Sequence, residues 1–576
     1  MESYIHLYET NSEFTAAYNG PDYKEPWLSL TEEGMKVNYN KPKLIAITFD
    51  SITWVTDVPA KGGTATKDNC TFKVYGNYDN GTSVDISSDA TVTGELVVPS
   101  STEGQRHEAG TLTLTASYSG FTATGNVTAY QAAPDFSTEP LTFNILSAGT
   151  INWVASRSDI AKTIEYKLNN GEWTSITSNT GSSAPSIEVN PGDKIQFRGD
   201  NTAYCGDNPD LCSTFSGSTA EFEVEGNIMS LIDKNNFITA TTLESNFTFA
   251  GLFSDCTGLT SAENLILPAT RLAMGCYFMM FQGCTSLTAA PALPANTLAM
   301  GCYAGMFNGC TSLTTAPELP AAKLADGCYS NMFQNCSSLT TAPALPATTL
   351  ANSCYLQMFY GCTSLTTAPE LPATTLAEGC YHGMFSDCTS LTIAPELPVT
   401  SLVKECYRGM FFNCTSLTAA PKLPATTLAQ GCYEGMFSDC KKLTIAPELP
   451  ANTLVDSCYS SMFQNCSSLA TAPALPVTTL APNCYSHMFQ GCTSLTIAPE
   501  LPANTLVDSC YSSMFDGCTK LNYIKCLATN ISATNCTSYW VSDVASTGTF
   551  VKASGMTVWS TGYSGIPGGW TVKDAS

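Results

Sequence analysis

From residue 276 to residue 518 the apolar positions keep a fixed beat. The dipeptide Cys-Tyr recurs every 26 residues, from Cys276-Tyr277 and Cys302-Tyr303 to Cys510-Tyr511. Every copy holds Leu, Ala-Pro, Leu-Pro, Leu, Cys-Tyr, Met-Phe and Cys in register; the copy from Leu313 is LTTAPELPAAKLADGCYSNMFQNCSS. A fixed period in this range marks a solenoid, whose coils bury their apolar positions only by stacking on neighbours. Within a coil Leu298, Cys302, Met306 and Cys310 stand four apart, with Tyr303 and Phe307 beside them. That spacing predicts a short amphipathic helix. The other half, Leu313 to Pro320, has β-branched residues and then two prolines, so it predicts a very short strand whose pairing stops near Ala316. Strands stack at about 4.8 Å and helices at about 8–10 Å, so the coils are expected to fan and the array to curve, strands on the concave side.

Before the repeats the period is two. Leu112, Leu114, Ala116 and Tyr118 alternate with Thr111, Thr113, Thr115 and Ser117, and Asp79-Asn80-Gly81 supplies a turn. Residues 44–131 are therefore expected to form a β-sandwich. The stretches Gly81-Thr82-Ser83-Val84-Asp85-Ile86 and Gly110 to Ala116 resemble bacterial immunoglobulin-like modules, which implies a spacer or stalk. A proline-containing linker, QAAPDFSTEP, leads to a second β-sandwich module at 141–226, where Ile164, Tyr166 and Leu168 run into an Asn170-Gly171 hairpin turn. Arg198-Gly199-Asp200 lies at its end and is taken as ordinary turn chemistry rather than an adhesion motif. Residues 227–275 are assigned as an irregular first coil that caps the solenoid of 276–518, and residues 519–576 as a closing coil with a small β-cap. Residues 1–43 form an arm with one anchor-like patch, in which Trp27, Leu28 and Leu30 are the candidate attachment residues.

Charge and cysteine narrow the function. Only 13% of the 576 residues are charged and the net charge is −24, with 33 of the 49 acids before residue 276. Nucleic-acid binding needs clustered Lys and Arg, so it is not expected. The start MESYIHLYETNSEF has no apolar signal region and no stretch reaches membrane-spanning length, so synthesis in the cytosol and no membrane insertion are expected. Of 26 cysteines, 21 fall at two repeat positions: Cys276 to Cys510, and Cys256 followed by Cys284 to Cys518. Eight residues apart on a helix is about 12 Å along the axis, beyond disulfide reach. Two core-facing ladders of reduced thiol are the expectation, with cross-coil disulfides as the alternative. Cys205 and Cys212 are taken as loop residues.

The unit Leu-Thr-x-Ala-Pro-x-Leu-Pro-x-x-x-Leu-x-x-x-Cys-Tyr-x-x-Met-Phe-x-x-Cys is similar to the BspA-like leucine-rich repeat. Cys310, Leu313, Ala316, Leu319, Pro320, Leu324, Phe333 and Cys336 carry the match; the added Pro317 and the Cys328-Tyr329 pair depart from it. The resemblance implies a binding or adhesion surface of the kind found on bacterial cells, in some protozoa and in prophage-encoded proteins of gut anaerobes. The tail Gly548 to Lys552 with Gly565 to Trp570, and the start containing Glu25 to Leu30, resemble the phage-associated members. The expected fold is thus multidomain: immunoglobulin-like β-sandwiches followed by a curved leucine-rich-repeat solenoid of 26-residue coils.

Chemistry is sparse. The four histidines, His6, His107, His382 and His487, are scattered, and no metal, phosphate-loop or nucleophile motif appears, so neither enzyme activity nor a cofactor is expected. Acids recur at one coil position (Glu318, Glu370, Glu396, Glu448, Glu500) and are taken as solvated surface. The two residues after Cys-Tyr change from copy to copy, which makes Phe278, Met279, Leu356, Gln357, His382, Arg408, Glu434 and His487 the candidate ligand-binding residues; neutral drift at exposed positions is the alternative. The expected protein is a non-enzymatic phage virion fibre or tail-associated protein. It would be a homo-oligomer, a trimer being one form, attached to other virion proteins by its arm and recognising a host surface glycan or protein. A bacterial cell-surface adhesin is the alternative.

Overall fold

The computed structural model describes residues 27–31, 34–38, 43–54, 64–79, 81–97, 110–129 and 136–576. They belong to two compact units, Met1–Asp135 and Phe136–Ser576. Most of the N-terminal arm, with His6, lies outside the described residues, as does His107.

In the first unit β1 (Trp27–Thr31) and β2 (Gly34–Asn38) form an antiparallel hairpin, Trp27 opposite Asn38. β3 (Leu44–Trp54) pairs with β5 (Cys70–Tyr78), which pairs with β6 (Ser83–Asp85). β7 (Thr91–Thr93), β9 (Gly110–Tyr118) and β10 (Phe121–Ala129) form a second three-stranded sheet, and β4 (Thr64–Thr66) pairs with β8 (Glu95–Val97). Ile47, Val74 and Ile86 from one sheet meet Leu112, Leu114 and Ala116 from the other in a single core. The period-two pattern of β9 thus buries its apolar half.

The second unit opens with antiparallel strands: β11 (Leu141–Ile145), β12 (Gly149–Asn152), β13 (Val154–Ala155), β14 (Thr163–Leu168), β15 (Thr174–Thr177), β16 (Ser186–Val189), β17 (Lys194–Arg198), β18 (Ser213–Thr214) and β19 (Phe222–Asn227). The β14–β15 hairpin turns through Asn169, whose φ is +52°. β19 then pairs in parallel with β20 (Leu259–Ile266), the first strand of the repeat stack, in one sheet of order β15-β14-β17-β11-β19-β20. One continuous apolar core follows from Leu141 to Trp570. At the far end β21 (Tyr523–Cys526), β22 (Thr549–Lys552) and β23 (Thr571–Asp574) form a parallel sheet. Trp540 there stacks on Tyr511 and Trp559 and donates its indole N–H to the Gly565 carbonyl.

The helices expected in each coil do not form, and the described residues contain no α-helix at all. The segment from Ala299 to Cys310 is a ribbon of turns with a period of four. The amides of Cys302, Ala304, Met306, Asn308 and Cys310 close turns on the carbonyls three residues back. The alternate amides of Gly301, Tyr303, Gly305, Phe307 and Gly309 donate to Asp326, Cys328, Ser330, Met332 and Gln334 of the next coil. Every fourth residue must then adopt positive φ: Gly301 +56°, Gly305 +62°, Gly309 +75°. Glycine takes this conformation without a Cβ clash, and Asn and Asp tolerate it best among the rest, which accounts for Asn335, Asp387, Asn413, Asp439 and Asn465 at the last of the three sites. A four-residue spacing on an α-helix drifts by about 40° per step; in the turn ribbon it does not, so one apolar row faces the core throughout.

Curvature also loses its expected source. On the strand side bridges join some successive coils, as at Thr315 with Thr341 and Thr367 with Ile393, while the turn side is hydrogen-bonded from coil to coil throughout. No helical layer is therefore present to spread the array in the way expected. Tyrosine and phenylalanine rings stack in two ladders, Tyr303 on Tyr329 at 5.9 Å and Phe307 on Phe333 at 5.7 Å. Each such contact adds about 0.5–1.5 kcal/mol to the area it buries.

The sulfurs follow the same register. All 24 cysteines outside the Cys205–Cys212 pair are free and buried. In the second ladder each thiol donates to a phenylalanine carbonyl of the preceding coil, Cys310 to Phe281 and Cys388 to Phe359, both at 3.1 Å. Cys205 and Cys212, by contrast, are joined in a disulfide. Their assignment as plain loop residues fails because an antiparallel bridge between them brings their backbones together at the base of the loop.

Candidate functional site

Stacking aligns what the sequence separates by 26 residues. His382, Arg408 and Glu434 occupy the same turn in three consecutive coils and form the centre of a charged patch. Arg408 donates to Glu434 at 3.0 Å and lies 3.8 Å from Glu405, while His382 Nδ1 is 3.9 Å from Glu405. Lys404 extends the patch to Glu378 at 2.6 Å. Partial burial lowers the His382 pKa, the Arg408 charge lowers it further and Glu405 acts against both. Burial also raises the Glu434 carboxyl, although Arg408 pulls the other way. The Arg408 charge is thus already neutralised inside the patch, which makes it a weak trap for a free anion.

The other candidates are spread along the stack. Phe278, in the first regular coil, packs with Phe247 and Ala250 against the Cys205–Cys212 disulfide, so it seals the end of the stack. The Met279 side chain lies against Gly305 of the next coil. Gln357 accepts a hydrogen bond from Asn331, which also donates to Gln334. His487 shares a 2.7 Å hydrogen bond with Ser486, and burial lowers its pKa against the pull of Asp516. Trp27, Leu28 and Leu30 are in the β1–β2 hairpin of the other unit. Arg198-Gly199-Asp200 is locked into its own module: Arg198 pairs with Glu165 at 2.6 Å and covers the Trp173 ring, Gly199 donates to Ser230, and Asp200 holds Lys234 at 2.9 Å.

On the strand side the acids Glu318, Glu370, Glu396, Glu448 and Glu500 are exposed, and Glu500 pairs with Lys525 at 3.0 Å. Three residues before Glu396, Glu448 and Glu500 stand Ile393, Ile445 and Ile497, which are 65%, 70% and 58% exposed. The sequence signal for this row was available: Leu-Thr-Ile-Ala-Pro-Glu-Leu-Pro occurs three times, two coils apart, at 391–398, 443–450 and 495–502.

No curated protein matches the chain. Its repeats do match a family model: residues 278–418, 357–496 and 422–542 fit the BspA type leucine rich repeat region, in six copies, so this part of the chain carries BspA-type leucine-rich repeats.

Proposed function

We propose that the chain is a non-enzymatic adhesion protein, a phage virion fibre or tail-associated protein in which the N-terminal arm attaches, the immunoglobulin-like β-sandwich modules space, and the repeat solenoid recognises a host surface glycan or protein. What carries the reading is the division of labour in each coil. The residues kept in every copy are spent on the core ladders of Leu, Cys, Tyr, Met and Phe, which leaves the outward positions free to differ from coil to coil. BspA-type repeats are often found in surface adhesins and are typically non-enzymatic, which supports the same conclusion. A bacterial cell-surface adhesin is the competing assignment. Proteomics of purified phage particles and of surface-shaved host cells separates the two. Recovery with the particles supports the fibre, and absence from them with recovery from the shaved surface overturns it. Labelled chain should also adhere to host cells; failure to adhere to any host cell would remove recognition altogether.

A further inference from the structure

The most exposed large apolar residues of the regular coils 276–518 lie on the strand side, not among the turn residues that vary most. Ile393, Ile445 and Ile497 share one row with Thr367, Ala419, Thr471 and Tyr523, and bridges link Thr367 to Ile393, Ala419 to Ile445, Ile445 to Thr471, and Ile497 to Tyr523. Bridged coils are about 4.8 Å apart, so the large residues, which recur every two coils with a small residue between them, stand on the order of 10 Å apart. The result is a row of alternating ridges and notches. A polyproline-II helix has three residues per turn and rises about 3.1 Å per residue, so one of its edges repeats every 9.3 Å or so. That repeat is of the same order as the spacing of the isoleucines.

Charge selects the sign of the partner. Glu370, Glu396 and Glu448 run beside the isoleucine row with Lys422 among them, and none of the four has an ion pair among the described residues, a net charge of −2. Three residues of extended chain, about 10 Å, separate each of these Glu from the row. That is within reach of a Lys or Arg side chain borne by a segment lying on the ridge.

We propose that the strand face over Ile393, Ile445 and Ile497 docks a basic segment in the polyproline-II conformation, with apolar residues at every third position and Lys or Arg on a neighbouring edge. Such a segment is preorganised and loses little entropy on docking. This rests on the recognition reading above and identifies the class of partner and the face it uses.

The test is fluorescence anisotropy of the full chain with three labelled peptides at low ionic strength. These are (Pro-Pro-Arg)5, (Gly-Ser-Arg)5 with the same charge but no polyproline-II preference, and (Pro-Pro-Glu)5. The first should bind at least about tenfold more tightly than the second, and the third should not bind. The variant I393T/I445T/I497T carries the residue found at this row in Thr315, Thr341 and Thr367, so it should fold, and it should lose at least about tenfold in affinity. E396Q/E448Q should weaken binding and flatten its salt dependence. Equal binding of the two arginine peptides, or wild-type affinity in the isoleucine variant, overturns the proposal. So does a wild-type dimer in sedimentation that the isoleucine variant abolishes, which would give the face to a second copy. Host-cell adhesion separates the two levels of argument. Unchanged adhesion by the isoleucine variant ends this inference and leaves the adhesion function standing. Peptide binding without adhesion does the reverse.

Discussion

The turn ribbon and the helix it replaces predict opposite signs for the same substitution. Asn335, Asn413 and Asn465 occupy the same site in three coils with φ of +59°, +55° and +59°. Consider two triple variants, all three changed to Gly or all three to Ala. The side-chain bonds from Asn413 to Asp387 and from Asn465 to Asp439 are lost in both, so comparing the variants isolates one methyl group per site. At positive φ an alanine is strained by about 1–2 kcal/mol. Glycine gives back about 0.5–1 kcal/mol through the entropy of its unfolded chain. The net is about 0.5–1 kcal/mol per site in favour of glycine, or about 2 kcal/mol for three. The sites are two or three coils apart, roughly 10–14 Å, far enough for the effects to add. A helix would favour alanine by about 0.8–1.0 kcal/mol per site. Urea unfolding followed by the near-ultraviolet circular dichroism of the tyrosine ladder measures the difference in midpoint. An alanine variant as stable as the glycine variant, or more so, would refute the turn ribbon.

Alkylation under denaturing, non-reducing conditions should label 24 of the 26 cysteines; all 26 would remove the disulfide, and a count near zero the thiol ladders. Alkali should unfold the stack steeply, because burial pushes thiols such as Cys328 and Cys380 from 9.0 up to about 12. Such groups stabilise fully below 9.0 and lose their contribution as pH rises towards 12, by about 1.4 kcal/mol per thiol per pH unit. Urea midpoints that stay flat to about pH 10.5 would contradict this. In acid the sign reverses for histidine: burial lowers His382 and His487, so the unfolded chain takes up protons first and stability falls as pH drops below 6.5. H382Q/H487Q should therefore show a shallower decline in urea midpoint between about pH 7 and 5 than the parent. Trp540→Ala should cost about 3–5 kcal/mol and expose the last coil first, seen as faster hydrogen exchange over 510–545 than over 300–500.

The inward face of the coil was legible in the sequence because burial depends on the row and not on the element that carries it. Leu298, Cys302, Met306 and Cys310 are buried as their spacing requires, although no helix holds them. The element itself was misjudged because a row spaced by four is compatible with both a short helix and a four-residue turn. What distinguishes them lies off the row, in the residues one place before it. Gly301, Gly305 and Gly309 put three glycines into nine residues, which would cost a helix about 3 kcal/mol and costs a positive-φ ribbon nothing. The same rule bears on the candidate site. His382, Arg408 and Glu434 had to be neighbours once the period was known, but the Arg408–Glu434 ion pair and the His382–Glu405 contact were not visible, because they depend on how far each coil advances. Under helical packing at about 8–10 Å these side chains would have stood apart as three separate determinants. With the turns hydrogen-bonded coil to coil, Arg408 and Glu434 neutralise one another, while Ile393, Ile445 and Ile497 stand exposed on the strand side. The geometry of the turn therefore decides more than local backbone conformation: by setting the rise per coil it determines which variable residues pair among themselves and which remain available to a partner.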